Sequence, residues 1–240
     1  MADLKNRVVL ITGAGRGIGA ATAKLLAERG CRLVLVSRSV DQLQAVRKEI
    51  LERNVDAEVL CLPADISKET QISKLVDEIA QHFGVLDVLI NNAGAICVRK
   101  FAETSLEDWD RMMGINLRAV FMLSQAALPL LKKSQVASVI NISSLAGIQS
   151  MDKFSGFGSY TTAKMGLVGL SQVMALELKE SNIRVNVIAP GAVDTQMLQE
   201  ALPGLKTSTT PEDLAKEILY FVDEDLCRGA TGELKVLGNR

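Results

Sequence analysis

The 240-residue sequence has few of the residues that build several common kinds of site. It contains one histidine, one tryptophan, two tyrosines and four cysteines. With only His82 available, a Ser-His-Asp triad and a zinc site are both disfavoured, and we predict no metal. Cys31, Cys61, Cys97 and Cys227 lie far apart and form no C-x-x-C pair. We therefore expect free thiols in a reducing compartment.

The chain also lacks an excess of either charge and a long apolar run near its start. Lysine and arginine number 27, and aspartate and glutamate number 28. This balance disfavours a nucleic-acid or anionic-membrane partner held by bulk charge. The first apolar run, 8–11, is too short for a signal peptide or a membrane span. With no linker or repeat in sight, we expect one soluble, cytoplasmic domain covering residues 1–240.

A glycine-rich segment near the N-terminus predicts a binding site. The run 8–11 has the composition of a buried parallel strand, and an alanine-rich amphipathic stretch ending at Gly30 has that of a helix. Between them the chain reads T-G-x-x-x-G-x-G from Thr12 to Gly19, with a further glycine at position 15. Glycines let the backbone approach a pyrophosphate, whose charge is favoured at a helix N-terminus. A plain turn would also use glycine, but this context favours dinucleotide binding.

The end of the second predicted strand indicates which dinucleotide binds. An acidic residue there would accept hydrogen bonds from a free ribose hydroxyl and favour NAD. Here the strand is followed by Ser37 and Arg38. An arginine can grip a 2′-phosphate by paired, charge-assisted hydrogen bonds, and Arg16 in the glycine segment adds a second positive charge. We predict NADP(H) over NAD(H); the alternative is that both arginines are solvated surface charges.

Tyr160 and Lys164 form the pattern that carries chemistry. They are four residues apart, so in a helix they lie on one face, one turn apart. A phenol ionises at about pH 10, and a nearby ammonium favours the phenolate and lowers its pKa. Ser144, upstream, can hold a carbonyl or alcohol oxygen by hydrogen bonds. The three residues predict an acid/base site for carbonyl reduction or alcohol oxidation; the alternative is a surface tyrosine above a solvated lysine.

Strand-like and helix-like segments alternate along the chain. Such alternation predicts an α/β fold, with a parallel sheet covered on both faces. Beyond the first strand and the helix that follows the glycines, we predict strands at 32–36, 58–62, 87–90, 137–142, 183–188 and 233–237, and helices at 41–53, 68–83, 106–133, 159–180 and 211–223. We expect the helix at 106–133 to break near 114–116.

With an N-N-A-G segment at 91–94, these motifs stand in the order found in the short-chain dehydrogenase/reductase family. The chain resembles that family from residue 5 to about residue 238. The resemblance implies a single-domain, Rossmann-type doubly wound parallel sheet of about seven strands with helices on both faces. It implies a catalytic tetrad of Asn116, Ser144, Tyr160 and Lys164, with Ser143 as the alternative serine. The cofactor-binding residues that it implies, besides Tyr160 and Lys164, are Gly13, Gly15, Arg16, Gly17, Ile18, Gly19, Ser37, Arg38, Asp65, Ile66, Asn92, Ala93, Gly94, Pro190, Gly191, Val193 and Thr195.

The substrate that the resemblance implies is a carbonyl or alcohol compound. The brief region after Pro190 is similar to that of 3-oxoacyl-thioester reductases, so we expect NADPH-dependent reduction of a 3-oxoacyl thioester, with a carrier-bound acyl chain as one form. Small ketones, diketones, quinones or sugars are the alternative, and a non-catalytic NADP sensor is a third. Two departures bear on this choice: the gap from Ser144 to Tyr160 is a few residues longer than in carrier-protein reductases, and the chain ends in V-L-G-N before its last residue.

Two predicted helices are apolar on more than one face. Apolar residues nearly fill 119–131 and recur throughout the helix after Tyr160. Such helices need cover on two sides, and the sheet supplies one. Members of the family commonly form tetramers through these helices, so we expect a homotetramer; burial within the monomer is the alternative.

Overall fold

The computed structural model describes residues 2–238 and contains one seven-stranded sheet. The strands are β1 (Val8–Thr12), β2 (Arg32–Ser37), β3 (Val59–Pro63), β4 (Val88–Asn91), β5 (Ser138–Ile142), β6 (Arg184–Pro190) and β7 (Leu234–Leu237). Every strand pair is parallel, and the strand order is β3-β2-β1-β4-β5-β6-β7. This is the doubly wound arrangement that the sequence predicts.

Helices cover both faces of the sheet. On β1, Val9 and Ile11 pack into one apolar cluster and Val8 and Leu10 into the other, so alternate side chains enter opposite layers. The helices are α1 (Gly17–Glu28), α2 (Val40–Arg53), α3 (Glu69–His82), α4 (Leu106–Met113), α5 (Ala119–Leu131), α6 (Gly158–Glu177), α7 (Gln196–Ala201) and α8 (Pro211–Val222). The first layer contains α1, α2 and α8, and the second contains α3 and α5.

The predicted helix at 106–133 is divided in two. A π-helical turn, Gly114–Arg118, separates α4 from α5, close to the predicted break. By length and composition the combined stretch Leu106–Leu131 could span a membrane, but half of its apolar 18-residue window is buried inside the protein. Its apolar character is that of a core helix lying on the sheet.

Two further segments differ from the prediction. β6 continues past 188 to Pro190. Proline has no backbone N–H to donate to a neighbouring strand, but it is tolerated at the end of a strand. The short helix α7 was not predicted, since its six residues are too few to show a period. Of the V-L-G-N sequence near the C-terminus, Val236 and Leu237 lie in β7, whereas Asn239 lies outside the described residues.

The strand order reverses direction beside β1. From β1 the chain runs outward through β2 to β3, then returns to β4 on the other side of β1. Loops that leave neighbouring strands in opposite directions open a crevice at the carboxyl ends of those strands, where ligands bind in folds of this type.

Candidate active site

The glycine turn joins β1 to α1 at this crevice. Gly13 has φ of 66°, a conformation that favours glycine. Gly19 packs so tightly that a Cβ there would lie 2.3 Å from the carbonyl oxygen of Gly13. α1 starts without a side-chain cap and without an acidic residue in its first turn. Its first N–H groups are therefore available to an anion.

Thr12 and Asn92 tie the glycine turn to the end of β4. The Thr12 hydroxyl accepts hydrogen bonds from the backbone N–H groups of Asn92 and Ala93, each at 3.0 Å. The Asn92 side-chain amide donates to the carbonyl oxygens of Thr12, at 2.9 Å, and Gly13, at 3.3 Å. The N-N-A-G segment thus fixes one wall of the crevice against the other.

The ends of β2 and β3 present one cation and one anion. Arg38 is exposed just after β2, and its charge acts on Asp65, which follows β3. Partial burial opposes ionisation of Asp65, but hydrogen bonds from the hydroxyl and backbone N–H of Ser67, at 2.7 and 3.0 Å, together with Arg38, hold its pKa below the usual value. β2 itself ends at Ser37 and is followed by Arg38, so no carboxylate at the end of this strand would repel a phosphate.

Arg16 has a partner that the sequence did not reveal. Its guanidinium lies 3.6 Å from the carboxylate of Glu200 on α7, and both side chains are about half exposed. The glycine turn is therefore linked to α7 across the mouth of the crevice. This exposed pair contributes little to stability, so the arginine remains free to exchange partners.

α6 places Tyr160 and Lys164 one above the other, and both are buried, with 8 % and 5 % of their surface exposed. The Ser144 hydroxyl lies near enough to the phenol of Tyr160 to lower the pKa of that phenol. Ser143 points elsewhere: its hydroxyl donates to the backbone carbonyl of Lys164 at 3.0 Å. The geometry therefore brings Ser144, and not its neighbour, to the phenol.

Burial governs the charges of this pair. It raises the pKa of Tyr160, against a smaller lowering by Ser144. It also lowers the pKa of Lys164 from 10.5 to about 8. The expected lowering of the phenol pKa by Lys164 is thus wrong for the protein by itself. The ammonium instead donates to the carbonyl of Ile142 at 2.8 Å and lies 5.9 Å from the centre of the Tyr160 ring.

Asn116 lies in the π-helical turn and is fully buried. Its side-chain amide donates to the carbonyls of Ala95, at 3.0 Å, and Met112, at 3.1 Å, and its oxygen accepts from the Ala95 N–H at 3.2 Å. A Cβ added to Gly94 would lie 2.8 Å from this oxygen and 3.6 Å from the Lys164 nitrogen. Asn116 therefore joins the loop after β4 to the helix break, close to Lys164.

The segment after β6 forms a further wall of the crevice. The Gly191 N–H donates to the Leu237 carbonyl at 3.0 Å, which holds the turn to β7. Val193 is buried, and the Thr195 hydroxyl accepts from the Leu198 N–H at 3.2 Å, which caps α7. Together with Pro190, these residues line the same cleft as Tyr160.

The predicted site lies in one cleft of about 890 Å³. All of the predicted catalytic and cofactor residues line it except Gly19, which packs behind the glycine turn. The lining residues that the sequence did not reveal include Gln42, Lys68, Arg111, Arg118, Met197 and Leu198. Lys68 could have been found from its position just after a strand end, but the others lie on helices that only the fold brings to the cleft.

A crevice at the reversal of a parallel sheet, with a glycine turn at one end and a buried tyrosine–lysine pair at the other, defines the class of α/β oxidoreductases. Within that class the chain belongs to the short-chain dehydrogenase family, whose sequence profile matches residues 7–206.

Characterised relatives span nearly the whole chain. Levodione reductase of Leifsonia aquatica is 38% identical over 215 residues, covering 89% of this chain and 79% of that protein. A 3-oxoacyl-(acyl-carrier-protein) reductase of Thermotoga maritima is 34% identical over 235 residues, covering 92% of each. The crystal structure of a short chain dehydrogenase from Escherichia coli CFT073, complexed with NADPH, is 32% identical, covers 98% of both chains and superposes with a TM-score of 0.89.

Proposed function

We propose that this protein is an NADP(H)-dependent carbonyl reductase, in which residues 1–240 act as one cofactor-binding domain. The buried cluster of Ser144, Tyr160 and Lys164, in the same cleft as the glycine turn, carries this proposal. A hydroxyl pair with a cation beneath it is suited to an oxygen that gains negative charge.

The cleft fits a dinucleotide. A Cβ at Gly13 would lie 2.9 Å from the Cα of Ala93, and one at Gly15 would lie 2.9 Å from the Gln42 side chain, so glycine keeps this cradle open. The uncapped start of α1 suits a pyrophosphate. Arg38 and Arg16 suit a 2′-phosphate, and the Escherichia coli relative binds NADPH. When bound, the cofactor supplies the hydride that reduces the carbonyl carbon.

Within this scheme Ser144 and Tyr160 hold the substrate oxygen, and Tyr160 donates the proton. Lys164 binds the nicotinamide ribose, and its charge favours the phenolate once the proton has left. Asn116 keeps the π-helical turn open, and we assign to that opening a water that connects Lys164 with solvent.

Replacing the phenol tests the assignment directly. Tyr160→Phe keeps the ring and its packing but removes the proton donor, so we expect kcat to fall by about 1000-fold. NADPH binding, followed by its fluorescence, should change little because the glycine turn is intact. Tyr220→Phe, at the other tyrosine, is the matched control and should retain full turnover. Activity of Tyr160→Phe within about ten-fold of the wild type would exclude Tyr160 as the acid.

For the substrate we propose a 3-oxoacyl thioester. The full-length match to the Thermotoga maritima reductase supports it. A cyclic diketone is the second candidate, because levodione reductase is also similar and because Ala146, Phe157 and Tyr160 form a closed apolar cluster beside the reactive hydroxyl. Such a wall is suited to a compact apolar ring.

Parallel NADPH-oxidation assays separate these candidates. Acetoacetyl thioesters, simple diketones, quinones and keto sugars would be compared by kcat/KM under one set of conditions. We expect the thioester to lead. A diketone that leads by more than about 200-fold would select the second candidate, since that ratio exceeds the effect of a single methylene in an apolar pocket.

A further inference from the structure

Residues 153–157, between the Ser144 turn and α6, form a bridging segment with three attachments around the site. The first is Lys153. Its ammonium donates to the carbonyl of Ile148 and, at 3.4 Å, to that of Ala146. Both carbonyls belong to the turn that starts at Ser144, whose hydroxyl accepts from the Ala146 N–H at 3.2 Å. Lys153 therefore holds the turn that carries the serine.

The second attachment is Phe157. Its ring is buried and meets the ring of Tyr160 edge-on, with centroids 5.9 Å apart and planes at 80°. Its carbonyl accepts from the Thr161 N–H at 2.7 Å, which fixes the start of α6. Phe154, more than half exposed, packs on the outer side of Phe157 at 5.7 Å. The tyrosine ring thus leans on a ring supplied by the bridging segment.

The third attachment fixes the segment itself. The Arg99 N–H donates to the carbonyl of Gly156 at 2.9 Å, and Arg99 and Phe157 form one parallel β-bridge. Gly156 has φ of 86°, and a Cβ there would lie 2.9 Å from a methyl group of Val98. Only glycine fits this crossing without strain. The segment is therefore anchored to the loop after β4, independently of the two groups that it supports.

We propose that the bridging segment sets the spacing between the Ser144 hydroxyl and the Tyr160 phenol, with Lys153 and Phe157 as positioning residues. Two hydroxyls that hold one oxygen must both stay within about 3 Å of it. A displacement of about 1 Å at such a site can cost on the order of 100-fold in rate. The catalytic meaning rests on the proposed function, but the control of spacing does not.

A titration without substrate tests the spacing. In a Tyr220→Phe background Tyr160 is the one remaining phenol of the sequence, so phenolate absorbance reports its pKa. Lys153→Met should loosen the serine turn and weaken the influence of Ser144 that lowers this pKa, which then rises. Phe157→Ala should admit water and relieve the burial that raises it, so the pKa falls. Lys164, whose ammonium lies 5.9 Å from the centre of the Tyr160 ring, is unchanged in both variants.

Kinetics give the second readout. Each variant should lower kcat by about ten-fold while the KM for NADPH stays within about two-fold, because positioning acts on the reacting groups and not on cofactor binding. Lys153→Arg, which keeps the donor, should recover most of the loss. Lys132→Met and Phe101→Ala make the same chemical changes at exposed positions outside the cleft and should leave kcat and the titration unaltered.

The outcomes are distinguishable. Unchanged phenol titration in both variants would overturn the inference, as would equal shifts in the controls. If Phe157→Ala does not fold, Phe157→Leu removes the edge contact while keeping apolar volume and supplies the same comparison. A wild-type protein that reduces no carbonyl compound would refute the proposed function, and the titration would still decide whether the segment sets the spacing.

Discussion

Lys164 is buried in a setting that normally excludes a charge. Burial lowers its pKa from 10.5 to about 8, and its one described hydrogen bond is to the neutral carbonyl of Ile142. Between these two pH values the unfolded chain binds one more proton than the folded chain at this side chain. The contribution of Lys164 to stability therefore improves as pH rises through that interval.

This linkage predicts the pH dependence of Lys164→Met. Relative to the variant, the wild type should gain up to about 3 kcal/mol in unfolding free energy between pH 7 and about pH 10.5. The unpaired Ile142 carbonyl shifts the variant by a nearly constant amount, so the slope carries the information. Urea unfolding of both proteins across this range measures it, and parallel stability curves would contradict the shifted pKa.

Arg38 decides cofactor choice in the scheme above. Arg38→Asp replaces a cation with an anion that repels a 2′-phosphate and accepts hydrogen bonds from a ribose hydroxyl. We expect kcat/KM for NADPH to fall by at least about ten-fold while that for NADH rises. Arg47→Asp makes the same charge change on the exposed face of α2, outside the cleft, and should leave the ratio as it was. Equal efficiency of the wild type with both cofactors would refute the charge argument.

Spacing predicted that Tyr160 and Lys164 share one face of a helix, and α6 confirms it, because residues four apart on a helix lie one turn apart. It did not give the direction of the tyrosine pKa, since that depends on burial by distant parts of the chain. The contact of Phe157 with Tyr160 depends on the path of the loop at Gly156, which local pattern does not show. Local sequence pattern thus predicts which side chains the site contains, whereas tertiary contacts determine their pKa values.

Among the elements, strands were the most predictable. β1, β2 and β4 are short apolar runs buried on both faces, and their composition shows this directly. α8 was equally clear, since Thr210 and Asp213 form the capping box ahead of an amphipathic run. α7 gave no comparable signal, although Thr195 caps it.

The junction of β1 with α1 makes a prediction at this scale. A methyl group in Gly19→Ala would lie 2.3 Å from the Gly13 carbonyl and 2.7 Å from the Asn92 amide, so the turn must shift. We expect NADPH affinity to fall by about ten-fold or more, measured by fluorescence titration.

Gly169→Ala in α6 is the matched control, because the added methyl meets nothing within 4 Å. It should leave cofactor binding unaffected. If the two variants bind NADPH equally well, the close packing at Gly19 does not shape the binding turn.

For the whole molecule, the exposed apolar side chains of α6 support the prediction of a homotetramer. Leu176 and Val173 have 76% and 50% of their surface exposed, and Phe121 on α5 is also exposed. Apolar area of this kind gains free energy when a second subunit covers it.

Sedimentation measures this state. We expect the wild type to sediment as a tetramer and Val173→Glu/Leu176→Glu to dissociate, because two buried carboxylates would lack partners. Val55→Glu, at an exposed apolar residue between α2 and β3, should leave the assembly intact. A wild type that sediments as a monomer would overturn the prediction.

The neighbouring positions of β1 and β4 also constrain how the chain folds. Val9 pairs with Val88, so the middle of the sheet cannot close until α3 has been synthesised and β4 has left the ribosome. Closing such a distant pair is entropically costly and slows folding relative to helical proteins of similar stability. Until then β1 has an unsatisfied edge that is open to aggregation. Nascent chains should therefore depend most on chaperones while the first half of the sheet is exposed.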